Sequence, residues 1–431
     1  MSCYFIFIFI AQYSLPGNYS LTSDQTPLIV ISLDGFWYKY FERNVTPTIS
    51  RLRDEGVSAP YLINIFPTKT FTNHFSIVTG QFAEEHHVLD NTLFDPVLNR
   101  TVTYSEELFT RSQSAVPIWV INEKSGNSRY SGVMMWPGCN YRYLDSLPTH
   151  LRTYRSEQNY RYNVDRIVQW MTNETHPANL IFMYLDFPDA RAHRFGPDSS
   201  EVEEALKEVD NTVLYLQQKL DEFKIHRYNL IVLSDHGMAS VRYGNMINLT
   251  DILTIGTYDL DGASPTLGVF PKSGYEDEVA SKLKEAANEL NFNFYTRDDI
   301  PEDWHYKKSY RAPPILLVAR QGYFFQDKNA DFISYSETNN KELNEDTIFG
   351  MHGYDPADES MHAIFIANGP SFKKRHVVKP FRIVDLFSLF AYILRANIDN
   401  YLHSGDFKNV EDLLAVDKDD LWADETFSIE D

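Results

Sequence analysis

Apolar residues come in short continuous runs that stop abruptly at polar ones: Leu28–Leu33, Leu180–Leu185, Leu230–Leu233 and Ala363–Ala367. Runs of this length, rich in β-branched residues, suit strands buried on both faces of a parallel or mixed sheet. Between them the period changes. Along residues 200–223, Val202, Leu206, Val209, Val213, Leu216 and Leu220 recur at helical spacing, and Ser200 with Glu203 reads as a capping box. A further stretch, Ile383–Leu394 with Asp385 inside it, alternates like a buried amphipathic helix. Strands alternating with helices predict an α/β layered domain. Residues 254–320 are less regular and read as an inserted subdomain.

Composition narrows the class. Of 431 residues, 43% are hydrophobic and 14% aromatic, which is ample for a buried core and excludes a disordered chain. The formal charge of -21 would repel a nucleic-acid backbone, so a scaffold role on nucleic acid is excluded. A small phosphorylated substrate stays compatible, because a local metal cluster can reverse the sign.

Residues 3–11, CYFIFIFIA, are too few to span a bilayer and read as the apolar core of a secretory signal peptide, although no Lys or Arg precedes them. Residues 1–24 are therefore expected to be a signal peptide and N-terminal tail, with a buried strand as the alternative. Five N-x-S/T sequons, at Asn18, Asn44, Asn99, Asn173 and Asn248, suit a glycoprotein that is secreted or on the extracellular surface. Cysteine usage departs from that setting: Cys3 lies in the signal, leaving Cys139 as a single thiol with no internal disulfide. Residues 406–431 are expected to be an acidic, solvated tail, since Glu411–Asp431 holds one Lys among nine carboxylates.

The chemistry lies just beyond the end of each apolar run. Leu33 leads into Asp34-Gly35, Leu185 into Asp186-Phe187-Pro188-Asp189 with His193 beyond, and Leu233 into Ser234-Asp235-His236-Gly237. Ligands of open α/β sheets bind outside the carboxyl ends of the strands. A fourth segment, 351–355, places His352 between Gly350 and Gly353, glycines that allow a tight turn. Singly, each Asp reads as a turn former or helix cap. Gathered at one edge they repel, unless a cation neutralises them or they take up protons. Imidazole mixed with carboxylate favours zinc over magnesium or calcium. A nucleophile candidate, Thr70, sits where the polar segment 66–74 enters the apolar run Phe75–Val78. A hydroxyl at a helix N-terminus suits a phosphate, and metal coordination can activate it; the ordinary reading is a helix cap.

Together these segments resemble the ectonucleotide pyrophosphatase/phosphodiesterase family of the alkaline phosphatase superfamily. The resemblance rests on I-S-L-D-G-F at 31–36, T-K-T-F-x-N-H at 68–74, I-V-T-G at 77–80 and N-T-L-F-D-P at 91–96. It continues through P-D-x-x-x-H-x-x-G-P at 188–197, S-D-H-G-M at 234–238 and H-G-Y-D at 352–355. It implies an alkaline-phosphatase-like fold, a central mixed, mostly parallel sheet flanked by helices on both faces, within a catalytic domain at 25–405. It also implies two Zn2+, one held by Asp189, His193 and His352, the other by Asp34, Thr70, Asp235 and His236. In the implied mechanism Thr70 attacks phosphorus, an alcohol or phosphate leaves, and water hydrolyses the phospho-threonyl intermediate. The backbone N–H of Phe71 and the side-chain amide of Asn91 would bind a non-bridging oxygen.

Phe71 and Tyr154, at the family's two aromatic positions, would sandwich a nucleobase, with stacking worth ~1–3 kcal/mol. The implied substrates are nucleotide phosphodiesters and pyrophosphates, the products nucleoside 5′-monophosphates, and the setting purinergic signalling. The sequence departs from the family pattern at Asp186-Phe187, where Glu-Glu is common, at Ala192 for Gly and at Thr72 for Pro. The family's disulfides and its larger members' extra domains have no counterpart, as expected of a short single-catalytic-domain type. Two alternatives stand beside this reading. One is a choline-phospholipid phosphodiesterase of the same family, which needs an aromatic and acidic cage. The other is a non-catalytic surface-binding protein on the same scaffold, which the complete ligand set disfavours.

Overall fold

An eight-stranded sheet organises the chain in the computed structural model, which describes residues 26–126, 128–156, 158–326 and 343–415. The expected signal peptide, with Asn18, lies outside the described residues. Across the sheet the strands are His376–Val377, Val57–Leu62, Ala363–Asn368, Asn229–Leu233, Leu28–Leu33, Ala178–Leu185, Tyr130–Met134 and His150–Arg152. Ala363–Asn368 runs against both neighbours, and the remaining pairings are parallel, so the sheet is mixed and mostly parallel. All four strands expected from the apolar runs form, three of them at its centre with every residue buried. Continuous apolar sequence is required there because helices cover both faces. Thr70–Thr79, Ile118–Lys124 and Asp385–Leu394 pack together as one group, and Pro47–Glu55, Tyr160–Met171, Asp189–Phe195 and Ser200–Glu222 as another.

The long helix Ser200–Glu222 is capped one residue earlier than its sequence suggests: Ser199 Oγ accepts from Val202 N at 3.3 Å, and Ser200 is already helical. Residues 254–320 are regular after all. They hold a four-stranded antiparallel sheet ordered Tyr258–Asp261, Thr266–Pro271, Ile315–Ala319, Phe292–Thr296, covered by the helix Glu276–Glu289 through Val279 and Leu283. Arg311 ties this unit to the main body. Its buried guanidinium pairs with buried Asp95 at 2.8 Å and donates to the carbonyls of His87, Glu107 and Leu108.

The acidic stretch is corrected at its start. Val410, Leu413 and Leu414 are buried, Leu414 bridges Phe372, and Asp406 N donates to Asp385 Oδ1, so residues 406–415 belong to the packed fold. Three apolar side chains on successive short turns outweigh the carboxylates beside them, of which Asp412 is exposed and Glu411 half-buried. Residues 416–431 lie outside the described residues. Among the described residues no helix is long and apolar enough to cross a membrane. Cys139 is free and buried, and burial pushes its thiol up to about 12.

One buried imidazole makes the fold sensitive to acid. His86 Nδ1 accepts from Val88 N at 3.0 Å, so Nε2 carries the proton and meets Ser76 Oγ at 2.9 Å. A second ring proton would point at an N–H donor, and burial, then His87 and Arg311, hold the pKa down at about 3. Between an unfolded value of ~6.5 and the folded one, only the unfolded chain binds this proton, so stability falls as pH falls. At pH 5 the loss from this group is about 2 kcal/mol. Urea unfolding at pH 7 and pH 5 checks it: wild type should lose that much more than His86→Gln, and parallel losses would remove His86 as the cause.

Candidate active site

The three central strands Asn229–Leu233, Leu28–Leu33 and Ala178–Leu185 are parallel neighbours, so their carboxyl ends open at one edge. Asp34 comes after the first strand in sequence, Asp186 and Asp189 after the second, and Asp235 with His236 after the third. Gly35 lets two of these ends meet. Its φ is +66°, and a Cβ there would lie 2.9 Å from Asp189 Cβ. Asp189 N accordingly donates to Asp34 O at 3.0 Å. Asp189 and His193 sit one turn apart on the helix Asp189–Phe195.

His352 arrives on the strand Ile348–Met351, paired antiparallel with Ala239–Arg242. Gly350 proves to be inside that strand and not in a turn. An added Cβ would sit 2.4 Å from Ala192 O, so this glycine permits the close approach of the helix bearing His193. Gly353, at φ +115°, does turn the chain.

Two groups of ligand atoms converge, each within 4.8 Å: Asp34, Asp235 and His236, and Asp189, His236 and His352. His236 belongs to both. Its Nε2 is 3.1 Å from Asp235 Oδ2 and 3.3 Å from Asp34 Oδ1, and its ring stacks on His352 with centroids 3.5 Å apart. His193 stands beside the second group, with Nε2 3.3 Å from Asp189 Oδ1; His352 Nε2 is 3.6 Å from the same oxygen.

Whether these residues fit a metal can be judged from their own chemistry. Asp34 Oδ1, Asp189 Oδ1 and Asp235 Oδ2 are buried without a hydrogen-bond donor, an arrangement that costs several kcal/mol per charge unless a cation faces it. The three imidazoles are oriented alike. Nδ1 of His193, His236 and His352 lies 2.9, 2.9 and 2.8 Å from the carbonyls of Gly350, Gly237 and Thr68. A carbonyl only accepts, so Nδ1 carries the proton and Nε2 presents its lone pair to the carboxylates, the tautomer a metal ligand needs. The residues fit. Burial, then Asp235 and Asp189, push the Asp34 carboxyl up. Burial acts on Asp189 in the same sense but is outweighed by the positive charge of His193, His352 and His236 when those rings are protonated, a role a bound cation would take over, and the carboxyl is held below its usual range.

Thr70 is the first residue of the helix Thr70–Thr79, whose cap position is Lys69, so it is not itself the cap. Its Oγ1 lies 3.3 Å from His236 Nε2. The Phe71 N–H and Asn91, the expected oxygen-binding pair, face each other instead: Phe71 N donates to Asn91 Oδ1 at 2.9 Å. The backbone donor is engaged. Phe71 packs on Tyr104 and Phe109, with centroids at 5.3 and 5.6 Å. Tyr154, 43% exposed, meets Tyr184 edge-on at 6.1 Å. Among the described residues Phe71 and Tyr154 make no ring contact with each other.

Other contributors escape sequence reasoning. His74, wholly buried, places Nδ1 3.2 Å from Asp235 Oδ2 and 2.8 Å from Thr70 O, with Nε2 2.8 Å from Ser32 Oγ. Tyr184 OH donates to Asp34 Oδ2. His74 stands in the motif at 68–74, which was its signal in the sequence; for Tyr184, inside an apolar run, there was none.

Comparison with known proteins agrees with this geometry. The family model described as type I phosphodiesterase/nucleotide pyrophosphatase matches residues 28–355. Human ectonucleotide pyrophosphatase/phosphodiesterase family member 5 is 35% identical over 410 residues, covering 94% of this chain and 81% of that protein. Human bis(5′-adenosyl)-triphosphatase ENPP4 is 32% identical over 414 residues, covering 95% and 86%. Among solved structures, an inactive threonine-to-alanine variant of murine ectonucleotide pyrophosphatase/phosphodiesterase 5 in complex with AMP superposes with a TM-score of 0.81 at 34% identity, covering 91% of this chain and all of that one. With a converging set of metal-ligating residues and a match across most of its length, the chain belongs to the type I phosphodiesterase/nucleotide pyrophosphatase family of metal-dependent enzymes.

Proposed function

We propose that this enzyme hydrolyses phosphodiester and pyrophosphate bonds of extracellular nucleotides by attack of Thr70 on phosphorus, releasing nucleoside 5′-monophosphates. The observation that carries the reading is the position of Thr70, at a helix N-terminus with Oγ1 3.3 Å from His236 Nε2, where the two ligand groups share a residue. The relatives, a bis(5′-adenosyl)-triphosphatase and a protein in complex with AMP, support a nucleotide substrate.

Two Zn2+, held by Asp189, His193 and His352 and by Asp34, Asp235, His236 and Thr70, would supply Lewis-acid stabilisation of phosphoryl charge and acidify the threonine hydroxyl. Thr70 gives its proton to solvent and its Oγ1 bonds to phosphorus as the bond to the leaving oxygen breaks, that oxygen taking up a proton from solvent to depart as alcohol or phosphate. Water then attacks the phospho-threonine and loses a proton as it bonds to phosphorus, the Oγ1–P bond breaks, Thr70 Oγ1 takes up a proton in its place and the monophosphate departs. The Asn91 amide nitrogen donates to a non-bridging oxygen whose charge grows in both transition states. Phe71, braced by Tyr104 and Phe109, offers a rigid face to the base.

The deciding assay compares p-nitrophenyl thymidine 5′-monophosphate with p-nitrophenyl phosphorylcholine, using zinc-loaded protein at mildly alkaline pH. The nucleotide ester should be the better substrate. Preference for the choline ester would transfer the assignment to lipid head groups, and silence on both would leave a binding protein. Phe71→Ala should raise KM for the nucleotide ester about 5- to 100-fold, the equivalent of one stacked base, with kcat little changed. An unaltered KM removes Phe71 from the base site.

A further inference from the structure

Tyr154 belongs to a loop after the short strand His150–Arg152, and a ring 43% exposed on a loop has little packing to fix its direction. Two contacts do so. One is the edge-on contact with Tyr184, whose hydroxyl reaches Asp34. The other is polar: Tyr154 OH donates to Asp186 Oδ2 at 3.3 Å. Asp186 is itself held, because its other oxygen accepts from the buried Tyr160 OH at 2.5 Å, at the start of the helix Tyr160–Met171. The Tyr160 ring packs edge-on against Phe187 at 5.8 Å. Asp186 therefore clamps a surface loop to a helix N-terminus and a central strand end. It is no part of either ligand group, although it lies three residues from Asp189.

We propose that Asp186 is a positioning residue for substrate recognition, fixing the Tyr154 ring beside the ligand groups in the orientation that receives a nucleobase. This rests on the reading of Tyr154 as a base platform. A carboxylate suits the task because it accepts from two phenols at once, one per oxygen, and both donors stay protonated: burial, then the Asp186 charge, raises the pKa of each tyrosine. Without Asp186 only the edge-on contact with Tyr184 is left to direct the ring, and each binding event must order it further, a cost borne in KM and not in the chemical step.

The test uses p-nitrophenyl thymidine 5′-monophosphate and methyl p-nitrophenyl phosphate, which share a leaving group but differ in the base. Tyr154→Phe, Asp186→Ala, their double variant and Tyr154→Ala are compared with wild type. For Tyr154→Phe and Asp186→Ala, the ratio of kcat/KM between the two substrates should fall about 2- to 13-fold, the loss of one partly exposed hydrogen bond, through KM for the nucleotide ester. The double variant should be no worse than either single one. A fall shared equally by both substrates would show a structural role and overturn the proposal. Tyr154→Phe removes one half-exposed oxygen, so it reads the hydrogen bond even if Asp186→Ala folds poorly. If Tyr154→Ala raises KM while Tyr154→Phe and Asp186→Ala do not, the clamp fails and the platform stands. If Tyr154→Ala leaves KM unchanged, the platform reading itself falls.

Discussion

Thr70→Ala should lose about 10⁴- to 10⁶-fold in kcat, the scale on which removal of a nucleophile acts in enzymes that form a covalent intermediate. The fold should survive. Among the described residues the side chain makes one polar contact, to His236, and alanine carries the highest helix propensity. Melting temperature and metal content should therefore stay close to wild type, which separates loss of chemistry from loss of structure. Thr70→Ser keeps the oxygen and should keep most of the rate. Activity within tenfold of wild type in the alanine variant would mean that water attacks directly and that Thr70 is only a ligand or a helix residue.

Exhaustive chelation should abolish turnover and lower the melting temperature together, and Zn2+ should restore both where Mg2+ does not. The buried oxygens of Asp34, Asp189 and Asp235 that lack donors are the reason. With no cation before them they repel one another, and burial already pushes Asp34 toward its neutral form. An ion bound at a thousand times its dissociation constant contributes about 4 kcal/mol, so the melting temperature should fall on the order of 5–10 °C. Imidazole nitrogens in both groups select zinc over magnesium, which prefers an all-oxygen shell. Full activity in protein stripped of metal would sink the assignment of the whole cluster.

Which residues could be read from the sequence obeys a physical rule. Asp34, Asp189, Asp235 and His236 were legible because each closes or succeeds an apolar run, and parallel strands bring their ends to one edge. The direction of Ala363–Asn368 was not, since an apolar run reads the same both ways. The roles of His74 and Asp186 depend on partners 161 and 32 residues away in sequence, whose approach only packing decides. Asn91 and Phe71 were expected side by side at a non-bridging oxygen; that Phe71 N donates to Asn91 Oδ1 could not be read from the motif. The acidic stretch misled in the opposite way, since composition averages over the few apolar residues that dock.

The reversed strand Ala363–Asn368 has a consequence for the order in which the molecule comes into being. It lies between Val57–Leu62 and Asn229–Leu233, so Val57–Leu62 cannot join the sheet until that late segment emerges from the ribosome. His352, eleven residues earlier, reaches the site in the same late stretch of synthesis. Pairings separated by 130 to 300 residues close slowly, and the two exposed strand edges are open to other chains meanwhile. Nascent chains that stall before residue 363 should therefore be captured by chaperones or aggregate, and activity should appear in a single late step of synthesis.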